Sequence, residues 1–152
     1  VVGLAGWLWV FGLGVAVFGL GSVATSAPLL GVVAAAVGSY TLVAVSIGFL
    51  MGQIGLGQHA ANAVANIGGM ALSFLGGAWV PIEWLPDSLA RAARLTPGYW
   101  ADRAISGAYE ATSMSAAVIG PLLVDCGICA LLAVAVFSVA VAVGRARARS
   151  AL

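Results

Sequence analysis

The stretch GGAWVPIEWLPDSLARAARLTPGYW, residues 76–100, interrupts a chain that is otherwise almost uncharged. It holds three of the five tryptophans and three of the five prolines, together with four charged side chains. Proline ends helices, and tryptophan favours the boundary between lipid and water. The stretch therefore predicts a break between apolar helices, built at a membrane surface.

The composition identifies the solvent of the remaining chain. Hydrophobic residues make up 62% of the 152 residues and charged residues 7%, and the mean hydropathy is +1.12. A soluble domain carries about a quarter charged residues, so this chain could not cover a water-facing surface. We expect an all-α, polytopic membrane helical bundle that forms a single domain over residues 1–152.

Four apolar runs are long enough to cross a bilayer, which takes about 20 residues each. They cover residues 3–22, 28–51, 61–80 and 116–144, and a basic tail follows at 145–152. The first run lacks the basic start of a signal peptide, and the chain begins with Val1 inside it. We therefore expect four transmembrane helices, with further sequence upstream.

Between the last two spans, the sequence predicts two short amphipathic helices, about 84–95 and 98–110. In each, polar and charged side chains share one face, and apolar side chains occupy the other. The polar faces hold Asp87, Arg91 and Arg94 in the first helix, and Tyr99, Arg103, Ser106 and Glu110 in the second. Helices this short do not span, and we expect them to lie in, or dip into, the interface.

The third span carries two patterns at four-residue spacing. Gly69, Ser73 and Gly77 place small residues on one helical face, which predicts close packing against another helix. Asn62 and Asn66 precede them, and amides in lipid are costly unless they are hydrogen-bonded. We expect these asparagines to meet a partner helix or the water interface, with a substrate pathway as the alternative.

Asp125 is the only acid inside a predicted span. An intramembrane carboxylate indicates a proton, ion or substrate site, or else a hydrogen bond between packed helices. We expect Asp125 to face protein or a cavity, and it joins Asn62 and Asn66 as a candidate pathway residue.

The remaining reactive side chains exclude several classes of protein. Cys126 and Cys129 have the CxxC spacing, but a quinone-linked redox relay needs a second cysteine pair, and buried packing is the alternative interpretation. His59 is the only histidine, so we expect no metal site and assign no catalytic residue. Because lysine is absent, the chain cannot carry a conventional P-loop for nucleotide hydrolysis.

The arginines leave the orientation of the chain open. Three lie in the tail at 145–149, and three lie between residues 81 and 115, at the other end of the last span. The positive-inside rule compares such counts, and here they are equal.

The series FLGGAWVPIEWLPDSLARAARLTPGYWADRAI, residues 74–105, resembles the signature of type-2 ABC exporter permeases. In that family a span runs into a pair of small residues, an aromatic, a proline, an acid and Leu-Pro, and two short helices follow. The matching residues are Phe74, Gly76, Gly77, Trp79, Pro81, Glu83, Leu85, Pro86, Pro97, Tyr99 and Trp100. The spacing of the earlier spans and the basic tail also agree.

The resemblance implies that the chain is the C-terminal four-span portion of a six-span permease subunit in a bacterial inner membrane, with its C-terminus cytoplasmic. Two such subunits, identical or different, would bind ATP-binding subunits that hold the ATP and Mg²⁺, so this chain would bind no cofactor and would not be an enzyme itself. The exported substrate would be hydrophobic or amphipathic: a drug, a lipid or a lipid-linked glycan. The re-entrant pair would shape the outer exit, with gate residues Trp79, Pro81, Glu83, Trp84, Pro97, Tyr99 and Trp100.

Three other classes stay open at this point. A small proton-coupled multidrug carrier would depend on Asp125. A membrane thiol redox protein would depend on Cys126 and Cys129. A scaffold without transport activity would use the small-residue face of the third span.

Overall fold

A computed structural model of the chain describes residues 26–111 and 115–150, together with Gly6, Trp9 and Gly12. The predicted first span, residues 3–22, lies outside these ranges apart from those three residues. The described part is helical and contains no strand, which confirms the all-α prediction.

Five α-helices and one 3-10 helix follow one another in the described ranges. They are α1 (Ala27–Ile54), α2 (Gln58–Leu75), the 3-10 helix (Ile82–Trp84), α3 (Asp87–Ala93), α4 (Pro97–Glu110) and α5 (Ala116–Ser150). Two of them, α1 and α5, are long and apolar enough to span a membrane. Within the described residues, the structure thus gives two candidate spans where the sequence predicted three.

The predicted third span, 61–80, differs most from the structure. Helix α2 begins three residues earlier and ends five residues earlier, and its first turns carry Gln58, His59 and Asn62. These polar side chains lower its mean hydropathy. The chain leaves the helix at Gly76, and Gly77 has φ +94°, a left-handed conformation that favours glycine.

The other predicted boundaries are closer to the observed ones. Helix α1 starts where predicted, with Pro28 in its first turn, and continues three residues further than expected. Helix α5 continues past residue 144 to Ser150 because alanine and arginine in the tail are both strong helix formers. The first short helix starts later than predicted, since Ile82–Trp84 forms a separate turn that ends before Pro86.

Helices α1 and α5 pack against each other in parallel. The Cys126 thiol lies 3.8 Å from the Val32 carbonyl oxygen, and Arg147 Nη1 donates to the Gln53 carbonyl oxygen at 2.9 Å. Both contacts join residues 94 positions apart, so the two helices keep the same register over most of the length of α1.

Helix α4 runs antiparallel to this pair and packs against its N-terminal part. An alanine face makes the contact, because alanine lets helix backbones approach closely. Ala101 lies in a cluster with Val43, Cys129 and Ala133. Further along α4, the core contains Leu29, Val32, Val33, Ala36, Ala104, Ala108, Leu122 and Cys126.

Helix α2 stands apart from α1 and α5 and has no buried residue. Its C-terminal end reaches the start of α4, where the backbones of Gly76 and Gly98 approach closely. A Cβ atom at Gly76 would lie 2.9 Å from the Gly98 Cα and 2.9 Å from the Leu72 carbonyl oxygen. Two glycines therefore make the junction between α2 and α4.

We expect Gly76→Ala to lower the free energy of unfolding by about 1–3 kcal/mol, because the added methyl group overpacks this junction. Gly69→Ala is the matched control, since a Cβ atom there meets open space. The control should leave stability unchanged or raise it, as alanine favours helix. Thermal unfolding of the full chain in detergent measures both, and equal destabilisation would contradict the assigned junction.

Candidate functional site

Helices α3 and α4 form a helical hairpin, residues 87–110, with a tight turn between them. The Thr96 hydroxyl donates to the Ala93 carbonyl oxygen at 2.7 Å and accepts the Tyr99 backbone N–H at 3.4 Å, which caps α4. The Trp100 indole Nε1 donates to the Arg94 carbonyl oxygen at 2.8 Å. These local hydrogen bonds fix the turn, and Pro97 begins α4 with a preset φ.

A buried ion pair joins this hairpin to α5. Asp125 is 2% exposed, and its Oδ2 lies 3.0 Å from Arg103 Nε on α4. At this distance the two opposite charges form an ion pair. The Arg103 side chain is 51% exposed, and its guanidinium lies 5.5 Å from the centre of the Trp100 ring. Asp125 faces protein, as predicted.

A polar cleft of about 720 Å³ opens beside the ion pair. The hairpin forms one wall, and the turn that follows α2 forms the other. Its charged lining consists of Glu83, Arg94, Asp102, Arg103 and Glu110. Since Arg103 is already paired with Asp125, three carboxylates and one arginine remain to interact with what enters the cleft.

Asp102 is the carboxylate of the cleft with a perturbed pKa. Burial raises its pKa above the ordinary value of 3.8, and the nearby negative charge of Glu83 raises it further. Ionised Asp102 is therefore less favourable in the folded chain than in water.

Two further cavities continue from the cleft along α1. A cavity of about 310 Å³ lies between α1, α4 and the end of α2. An apolar groove of about 490 Å³ lies between α1 and α2 and reaches Ile54. Asp102 lines both the cleft and the small cavity, and Tyr40 lines both the small cavity and the groove. The three spaces therefore form one row, which we call the cavity row.

The residues predicted as a helix-packing face line this row instead. Gly69 lines the groove, Ser73 the small cavity and Gly77 the cleft. Gly77 lies beyond the end of α2, so the three residues do not form one continuous helical face. In the described part of the chain these three residues line cavities, and their packing against another helix stays a prediction.

The predicted gate residues divide into three groups. Pro81, Glu83 and Tyr99 line the cleft. Trp79 and Trp84 lie outside it and are 70% and 79% exposed. The remaining two support the hairpin: Trp100 packs edge-on against Tyr99 at 5.0 Å, and the Pro97 carbonyl oxygen accepts from the Cys129 thiol at 3.6 Å.

The other candidate residues contribute little to this site. Asn62 and Asn66 are exposed on α2, and neither is hydrogen-bonded to a residue in the described ranges. Cys126 and Cys129 are free thiols buried against α1 and α4, which agrees with the packing interpretation. His59 is exposed, and residues 26–111 and 115–150 contain no cluster of His, Cys, Asp or Glu able to hold a metal ion.

Sequence reasoning missed three residues of the site. The sequence places Arg103 on a polar face but does not reveal its pairing with Asp125, which is 22 positions away and on another helix. Asp102 and Tyr40 each line two of the cavities. Which cavities a side chain lines depends on how the helices pack, and the sequence does not show this. The one available signal was the isolated acid in the last span, since a buried carboxylate requires a cation nearby.

Comparisons of the chain with protein-family models, with characterised proteins and with solved structures find no match. The resemblance to type-2 ABC exporter permeases stays a prediction from the sequence.

The ion pair predicts unequal effects of its two single variants. Arg103→Gln leaves a charged carboxylate buried, and we expect the free energy of unfolding to fall by about 1–3 kcal/mol. Asp125→Asn leaves an arginine that water reaches, so we expect a loss below about 1 kcal/mol. Thermal unfolding in detergent compares them, with the exposed Arg91→Gln as control. A larger loss for Asp125→Asn would contradict the assigned pair.

The raised pKa of Asp102 predicts a pH-dependent gain from Asp102→Asn. At pH 7 the wild-type folded state holds an unfavourable carboxylate, so the variant should unfold at a higher temperature. Between the raised pKa and 3.8, the folded wild type binds the proton more readily than the unfolded chain does, so its stability rises as pH falls. The advantage of the variant should therefore disappear on acidification. Glu110→Gln, at an exposed position of the same cleft, is the control, and a gain independent of pH would contradict the assignment.

Proposed function

We propose that the chain is the transmembrane permease subunit of an ATP-binding-cassette exporter, in which a separate subunit hydrolyses ATP. The observation that carries this proposal is the cavity row, which changes from apolar at the α1–α2 groove to charged at the hairpin. Such a row suits a hydrophobic or amphipathic substrate that leaves lipid and reaches water.

The helix directions support a polytopic arrangement. Helices α1 and α5 run parallel, so a chain that crosses with both must return between them. Helix α2 has 18 residues and is about 27 Å long at 1.5 Å per residue, close to the hydrocarbon thickness of about 30 Å. We assign α2 as that return crossing. With residues 3–22 as a further span, this gives the four spans of the proposal.

Lengths along α5 support a position of the hairpin at the outer boundary of the membrane. If Arg145 marks one edge of the hydrocarbon, a core of about 30 Å ends roughly 20 residues earlier, near Asp125. The ion pair and the polar cleft then lie at the opposite edge, where charges are least costly. The basic end lies in the cytoplasm under this proposal, and the hairpin faces the outside of a bacterial inner membrane.

The cavity row also supports a second permease subunit. The groove and the cleft are open along one side, and α2 buries none of its residues against the described chain. A second subunit, identical or different, would close the row into a path. The ATP and Mg²⁺ belong to the ATP-binding subunits, which this lysine-free chain requires as partners.

The structure gives no support to two of the alternatives, a proton-coupled multidrug carrier and a membrane thiol redox protein. Asp125 is already paired with Arg103, whereas a proton carrier needs a carboxylate that gains and loses its proton. The thiols of Cys126 and Cys129 are buried among helices, where a redox partner would not reach them without a rearrangement.

The proposal is tested by efflux of an amphipathic dye from proteoliposomes that contain the full complex. Efflux should require ATP and stop when the P-loop lysine of the partner ATPase is replaced. Tyr40→Trp, which narrows the cavity row, should reduce efflux about tenfold. Leu42→Trp, at a position on α1 that lines none of the three cavities, should leave it unchanged.

Efflux that follows a proton gradient without ATP, and that stops in Asp125→Asn, would overturn the proposal in favour of a proton-coupled carrier. An equal loss of efflux in Tyr40→Trp and Leu42→Trp would show that the substrate does not pass through the cavity row.

A further inference from the structure

The charges of the chain are divided between its two ends. The hairpin end holds all five acidic side chains and three arginines, a net charge of −2. The opposite end holds the other three arginines, Arg145, Arg147 and Arg149, a net charge of +3. The basic end therefore lacks any acid from its own sequence.

One of the three arginines already has a partner within the fold. Arg147 Nη1 donates to the Gln53 carbonyl oxygen at 2.9 Å. This carbonyl belongs to the last turn of α1, where carbonyl groups lack helical partners and the helix dipole favours a cation. Arg147 thus caps α1 and ties its end to α5.

The other two arginines share a different face of α5. At 100° per residue, Arg145 and Arg149 lie about 40° apart, and both lie far around the helix from Arg147. Both are exposed. The nearest acid along α5 is Asp125, twenty residues and about 30 Å away. Within the given sequence, no acidic side chain is near enough along α5 to pair with them.

We infer that Arg145 and Arg149 form a clamp for the phosphate of an anionic phospholipid in the leaflet where α1 ends. Guanidinium groups bind phosphate oxygens through paired N–H donors, and two of them one helical turn apart can hold one headgroup. The clamp directly follows the apolar part of α5, where the exposed Leu131 and Val134 lie on the same face of the helix as Arg145 and suit contact with acyl chains. This inference does not depend on the proposed transport function.

Native mass spectrometry of the full chain in a neutral detergent tests the clamp. The chain is titrated separately with dioleoyl phosphatidylglycerol and dioleoyl phosphatidylcholine, and bound lipids are counted. We expect the wild type to prefer phosphatidylglycerol. The double variant Arg145→Gln/Arg149→Gln should lose roughly 30-fold in affinity for that lipid, since each arginine contributes about fivefold near an anionic surface. Its affinity for phosphatidylcholine should not change.

Two controls separate the clamp from general effects of charge and folding. Arg147→Gln removes the same charge from the cap and should keep the lipid preference while lowering thermal stability. Arg145→Lys/Arg149→Lys keeps the charge but removes the paired N–H donors, so it should bind phosphatidylglycerol more weakly than the wild type and more tightly than the double glutamine variant.

Equal binding of the two lipids by the wild type, or an unchanged preference in the double glutamine variant, would overturn the inference. So would an acidic peptide that binds through Arg145 and Arg149 while phosphatidylglycerol does not, since the partner would then be a protein. If Arg147→Gln lost the preference for phosphatidylglycerol while the double glutamine variant kept it, the lipid would bind at Arg147 instead.

Discussion

Parallel packing of α1 and α5 is the constraint on which the rest of the described fold depends. Two long apolar helices that run the same way cannot be joined by a short loop, so the chain must travel back between them. Helix α2 provides the return, and the α3–α4 hairpin fills the space beside the N-terminal ends of the pair. Because α2 lies apart from α1, the return leaves the apolar groove between them.

The two parts of α1 differ in how far their side chains are buried. Its N-terminal part packs Leu29, Val32 and Val33 against the hairpin and α5. Its C-terminal part leaves Leu42, Val45 and Phe49 exposed, as lipid contact allows. The ion pair between Arg103 and Asp125 lies in the packed part, where a buried carboxylate is compensated and the hairpin is fixed to α5. The ion pair with its cleft and the exposed apolar side chains of α1 therefore lie toward opposite ends of that helix.

Local features of this fold could be predicted from the sequence. Apolar runs gave α1 and α5, and the prolines and charge spacing gave two short helices, because helix starts and faces depend on nearby residues. Pairings between distant residues could not be predicted: Arg103 with Asp125, Gly76 with Gly98, or Tyr40 and Asp102 at the joins of the cavities. The end of α2 before Gly77 could not be predicted either, because the spacing of Gly69, Ser73 and Gly77 fits one continuous helix.

Labelling from the two sides of a sealed membrane tests the central claim most directly. Ser115→Cys precedes α5 and Gly57→Cys follows α1, while the native thiols of Cys126 and Cys129 are buried and serve as the unlabelled background. With a membrane-impermeant maleimide, the parallel arrangement predicts that the two variants react from opposite sides. Reaction of both variants from the same side would contradict it, because α1 and α5 would then not cross in parallel.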